Sequence, residues 1–155
     1  MRRLLICALV AGTSVTSVAI ADEELTKQQI INRSAPICSD LLDATEPHIE
    51  KADDARAKEQ WNRFIHQARL AISTARPYGR ELRRLQPDTG ARQYGRFLDH
   101  GRAALNWLDR ALDALEDERT ELALHRQAIA QEHFKRAKRN AKRYGLHQPC
   151  IKVVS

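Results

Sequence analysis

The chain of 155 residues is poor in aromatic side chains (5%) and has six glycines, five prolines and one methionine, Met1. Each shortage excludes something. With the only thioether at the first residue, copper or haem ligation by methionine has no candidate. There is no Cys-x-x-Cys-His, which excludes covalently attached c-type haem, and no paired cysteine spacing of the kind structural zinc uses. Gly-x-Ser-x-Gly and glycine-rich phosphate loops are absent, so neither a nucleophile elbow nor a nucleotide cradle is expected. Valine, isoleucine, threonine and the aromatics never form an alternating run, which argues against sheet.

Histidine is present, but not at chelating intervals. His48, His66, His100, His125, His133 and His147 include no two that stand three or four apart, and no Glu-x-x-His occurs. His125 and His133 share a helix face yet are too distant to chelate one ion alone. Convergence from different helices stays open, and no metal or other cofactor is predicted. Asp109 and Asp113, with Arg102, Asn106 and Arg110 around them, read as a solvated helix face rather than a catalytic carboxylate pair, so no enzyme is expected.

What is present is charge and helix-forming residues. The chain is 43% hydrophobic and 30% charged, with a formal net charge of +6. That is one domain, too charged for a membrane protein and too apolar for a disordered one. Arg2 and Arg3, the apolar run Leu4–Val10 and Ala19-Ile20-Ala21 before Asp22 have the layout of an export signal cleaved after Ala21. The alternative, a membrane anchor, asks for ~20 apolar residues and finds fewer. Cleavage leaves residues 22–155 as a single helical domain with no membrane span, exported to the periplasm or secreted. Its net charge is +4, since two arginines and no acid are lost. Cys7 is lost too. Cys38 and Cys150 remain, and an even count in an exported chain predicts a disulfide, with free thiols or an intermolecular bridge as the alternative.

The remainder reads as helix. Thr26 with Gln29 is a capping box, so a short helix begins near Lys27. Pro36 interrupts it, with Ser34 as a cap for the restart, and Thr45-Glu46-Pro47 is a second start. A stripe at three- and four-residue steps runs from Ala57 through Trp61, Ile65, Ala68, Ile72, Ala75, Tyr78 and Leu82 to Leu85. Its phase survives Pro77, which predicts a kink rather than a stop. Residues 86–90, Gln-Pro-Asp-Thr-Gly, form a turn. A second stripe runs through Tyr94, Leu98, Gly101, Leu105, Leu108, Leu112 and Leu115, then Leu122, Ala130, Phe134, Ala137, Ala141 and Tyr144. Gly145 before Leu146 is a stop signal. These features predict an all-α antiparallel bundle of three to four helices, built on a long helical hairpin and stapled by Cys38–Cys150. In the preferred layout one arm ascends from Pro47 to Leu85 and the other descends from Ala91 to Tyr144. In the alternative, a rounder four-helix bundle, residues 116–121 form a loop with Thr120 as cap.

Two surfaces suggest partners. Lys135, Arg136, Lys138, Arg139, Lys142 and Arg143 place six bases in nine residues, a candidate face for an anionic envelope component; export argues against nucleic acid as the partner. Helix-dipole complementation and solvation account for the same residues without a partner. Trp61, Trp107, Phe64, Phe97 and Tyr94 are enough to line a small-ligand pocket, although packing is the ordinary use of such residues. Leu25-Thr26-Lys27-Gln28-Gln29 resembles the Leu-Thr-x-x-Gln motif of small periplasmic stress chaperones of the Spy and CpxP kind, which implies a helical, exported, client-binding protein. The resemblance covers five residues, has no second copy and does not include the disulfide; a capping box explains the same five. The expected function is therefore binding, to an envelope protein or an anionic envelope component. A holdase-type chaperone and a small-ligand or metal carrier using the bundle interior are the alternatives.

Overall fold

The structure is a computed structural model and describes residues 25–86 and 91–154. The export signal expected over residues 1–21 and most of the expected turn, residues 87–90, lie outside these. The described residues form four long helices, α1 (Lys27–Ala57), α2 (Trp61–Arg84), α3 (Arg92–Glu116) and α4 (Thr120–Tyr144), and a short α5 (Gln148–Lys152), with no strand among them. None is long and apolar enough to cross a membrane.

α1 opens on the predicted capping box. Thr26 Oγ1 accepts from Gln29 N at 3.3 Å, and Gln29 Oε1 accepts from Thr26 N at 2.8 Å. The helix then runs unbroken through Pro36 and Pro47, correcting the predicted interruption and second start. An interior proline costs ~3 kcal/mol through its missing N–H and its clash with the preceding turn. Against that, Ile30, Ile31, Ser34, Cys38, Leu41 and Thr45 are all buried on one face, and ending the helix would expose them. Ser34 and Thr45, read as caps, instead donate back to the carbonyls of Ile31 (3.0 Å) and Leu41 (2.8 Å), which satisfies both buried hydroxyls within the turn. As predicted, α2 likewise continues through Pro77.

The two long arms of the preferred layout are each split, and the four-helix alternative is the one found. Residues 58–60 separate α1 from α2, and residues 117–119 separate α3 from α4. The two loops are the same device. Glu59 and Glu118 sit at φ +58° and +59°. The following N–H groups, of Gln60 and Arg119, reach back to the carbonyls of Ala55 and Ala114, both at 2.8 Å. This is the Schellman closure, in which one left-handed residue reverses the chain and satisfies the last carbonyls. Arg119 rather than Thr120 is the N-cap position of α4, and its side chain makes no cap bond. Gly145, at φ +91°, ends α4 in the same way, with Leu146 N bonded to Ala141 O at 3.0 Å.

The helices pack in chain order, α1 on α2, α2 on α3 and α3 on α4, as two antiparallel hairpins joined through α2 and α3. The α3–α4 pairing is the most extensive, because alanine lines it. Ala104, Ala111 and Ala114 on α3 and Ala123, Ala130 and Ala137 on α4 are all buried, and small side chains let two helices approach closely. The leucine stripe of α3 lies about a quarter-turn around the helix from these alanines. Leu105, Leu108, Leu112 and Leu115 pack with Phe64, Ile65, Ala68 and Ile72 of α2. An arginine ladder reinforces this seam. Arg69 pairs with Asp113 (2.7 Å) and Glu116 (2.8 Å), Arg76 with Asp109 (2.9 Å) and Arg83 with Asp99 (2.7 Å). Partners fall along α3 as they rise along α2, which is the antiparallel register. Asp109 and Asp113, read as a plain solvated face, are thus the α3 half of an inter-helix ladder.

One end of the bundle holds the main core. There Ile30, Ile31 and Cys38 of α1, Leu82 of α2, Tyr94, Phe97 and Leu98 of α3, Ala137, Ala141 and Tyr144 of α4, and Leu146, Cys150 and Val154 meet. α1 and α4 do not pack backbone to backbone; α5 lies against both and closes the gap. The predicted disulfide forms here, joining Cys38 to Cys150 with 5.0 Å between Cα atoms across 112 residues of chain. The reversal at Gly145 turns α5 back over α1 and brings the second cysteine into reach.

Candidate anion-binding face

The six bases predicted as a binding face occupy the last three turns of α4. At 3.6 residues per turn they fall in one arc of roughly 160°. Ala137, Asn140, Ala141 and Tyr144, all buried, lie on the opposite side. Lys138 is half-buried and the other five are exposed.

Pairing divides them. Glu132 accepts from Arg136 Nε at 3.0 Å and lies 3.6 Å from Arg139. The Arg136 hydrogen bond holds the Glu132 carboxyl below its ordinary range against desolvation, with the charges of Arg136, Arg139 and Lys135 assisting. Among the described residues no carboxylate lies in ion-pair range of Lys135, Lys138, Lys142 or Arg143. The contrast with α2 is informative. Arg69, Arg76 and Arg83 look equally basic in sequence, yet each is neutralised by an acid of α3. On α4 four of the six bases have no such partner among the described residues.

The core beneath this face is fixed by two tyrosines. Tyr94, fully buried, donates its hydroxyl to Leu82 O at 2.8 Å, and its ring lies 5.3 Å from that of Tyr144. Burial, then the neighbouring Tyr144, pushes the Tyr94 hydroxyl well above its ordinary range, with Arg83 opposing. Burial also raises Tyr144. Lys27 Nζ stands 5.3 Å from the centre of the Tyr144 ring, tying the start of α1 to the end of α4.

The other candidate groups are scattered, with one exception. Tyr94 and Phe97 are core residues. Trp107 is half-buried, with Arg110 4.9 Å over its ring. Trp61, placed by its spacing on the buried stripe, is instead 49% exposed, because it opens α2 directly after the loop. Two shallow surface depressions lie at the hairpin loops, lined by residues 59–63 and 118–122, and neither is in the bundle interior. No group of three or more metal-ligating side chains occurs among the described residues. Two histidines from different helices do converge: His100 Nδ1 of α3 lies 3.1 Å from His133 Nδ1 of α4. They stand 33 residues apart, so only the register of α3 on α4 brings them together. His48 Nδ1 meets Gln67 Oε1 at 3.2 Å, and His66, His125 and His147 are exposed.

No family model, no curated protein and no solved structure matches this chain.

Proposed function

We propose that this protein is exported and acts without catalysis, by holding an anionic component of the cell envelope on the outer face of α4. The observation that carries this reading is the stripe of Lys135, Lys138, Lys142 and Arg143, unpaired among the described residues and set opposite the buried face of the same helix. Export is supported by the signal-like layout of residues 1–21 and by the Cys38–Cys150 bond, since such bonds persist in oxidising compartments. Near an anionic surface each lysine or arginine contributes ~1 kcal/mol. Replacing Lys138, Arg139, Lys142 and Arg143 with serine therefore weakens capture of anionic envelope material by roughly two to three orders of magnitude, with helicity retained.

The test is retention of envelope extract on the immobilised oxidised protein, at low salt and at ~1 M, where screening shortens to ~3 Å. Anionic material lost at high salt and lost by the serine variant is the expected result. A discrete protein held at both salts, equally by the variant, would replace this reading with a specific protein interface. One set of observations favours a second reading, a holdase-type chaperone: Ile49, Trp61 and Leu124 are 50%, 49% and 61% exposed, all in the half of the bundle away from the main core. Suppression of client aggregation that is lost on replacing these three with serine would support it.

A further inference from the structure

We infer that the His100–His133 pair is an acid-sensitive latch between α3 and α4, closed while the pair carries at most one positive charge and opened by a second proton. The geometry is that of a hydrogen bond between rings. The nitrogens are 3.1 Å apart and the ring centres 5.4 Å, about the nitrogen separation plus one ring radius on each side. Each Nδ1 therefore points along the line toward the other, and one proton lies between them. A neutral pair makes this bond with one ring donating and the other accepting. A singly charged pair makes it more strongly, because charge-assisted bonds are the stronger kind. A doubly charged pair cannot make it. Both nitrogens then carry hydrogens aimed at each other, and two like charges meet in a half-buried site. Metal chelation fits this alignment less well, since two bonds of ~2.0–2.1 Å cannot both lie along so short a line.

The surroundings act against the second proton. From α4, Arg136 and Arg139 face the pair, both tied to Glu132; from α3, Asp99 does, and it is drawn off by Arg83 of α2. Desolvation first, then His133, Arg136 and Arg139, hold His100 below its ordinary value, with Asp99 opposing. The sign follows from linkage. The unfolded chain takes up the His100 proton near pH 6.5, and the folded chain only at lower pH. Stability is therefore full above that value and declines as pH falls from it toward the folded value. The pair sits just before the basic stripe on α4, so the same protonation adds charge beside Arg136 and loosens the helix that carries the stripe.

The oxidised protein is followed by thermal unfolding from about pH 7.5 to about pH 5, beside H100Q, H133Q and, as an exposed control, H125Q. Wild type and H125Q are expected to lose roughly 3 °C more over this range than H100Q and H133Q, which lack the latch at every pH. In wild type, long-range proton–nitrogen spectra of the rings should show two coupled titration steps, with a single proton shared between the Nδ1 atoms above the lower one. Zinc alone should leave the midpoint unmoved. Two rings titrating independently, or an acid loss that both glutamine variants retain in full, would overturn the latch. A zinc-dependent rise that needs both histidines would replace it with a chelate.

Discussion

Glu59 and Glu118 hold backbone conformations in which a Cβ crowds the following carbonyl, at a cost of roughly 1–2 kcal/mol relative to glycine's freedom. Glycine loses more entropy on folding, so the net gain from Glu118→Gly is smaller, about 0.5–1 kcal/mol, read as a higher urea midpoint with unchanged m. Gly145 is the converse. It has φ +91°, and although a new Cβ would meet nothing nearer than Ile31 Cδ1 at 3.7 Å, the backbone itself disfavours it. Gly145→Ala is expected to lose about 0.5–1 kcal/mol in the same assay, the left-handed strain less alanine's smaller entropy loss, with no clash involved.

At the scale of elements, the two seams on α3 differ in kind and should respond differently. The alanine seam with α4 has no room. Ala130 is fully buried, so Ala130→Leu forces the helices apart and is expected to destabilise by ~1–3 kcal/mol, whereas Leu124→Ala on the exposed side stays within about 0.5 kcal/mol. The seam with α2 combines the Ile65–Ile72–Leu112 cluster with the arginine ladder. The ladder side chains are roughly 36–58% exposed, which limits each pair to well under 1 kcal/mol. Arg76→Ala alone is expected to move the unfolding midpoint little, and what it does move should vanish at ~1 M salt. The ladder fixes register more than it supplies stability.

For the whole molecule, the main core lies at one end and the disulfide is the tie that holds α5 there. Closing a loop of 112 residues contributes ~4–5 kcal/mol in the chain-entropy model. Reduction is therefore expected to lower the unfolding midpoint by more than any single substitution above. Amide exchange should quicken first in α5 and the facing turns of α1, since among the described elements α5 alone bridges α1 and α4. The α3–α4 pair, held by its alanines, should keep its protection longest.

The residues by themselves determined the all-helical class, the capping box at Thr26, the stop at Gly145 and the pairing of Cys38 with Cys150. Each rests on local chemistry or on a count: a side chain three residues from its partner, a glycine where φ is positive, two cysteines in a chain read as exported. The break near residues 116–121 was legible as a run of polar residues. The break at residues 58–60 was not, because a three-residue Schellman loop scarcely disturbs the apolar period and here uses glutamate at the position where glycine would have announced it. The prolines of α1 misled for the opposite reason: their local penalty was outweighed by a buried face assembled from other helices. For the binding face, the sequence supplied the six bases but not which of them are neutralised. It could not separate the stripe of α4 from the ladder of α2, nor join His100 to His133. Those distinctions depend on which side chains a neighbouring helix places within a few ångströms, and only the packing of α2 and α4 on α3 sets that register.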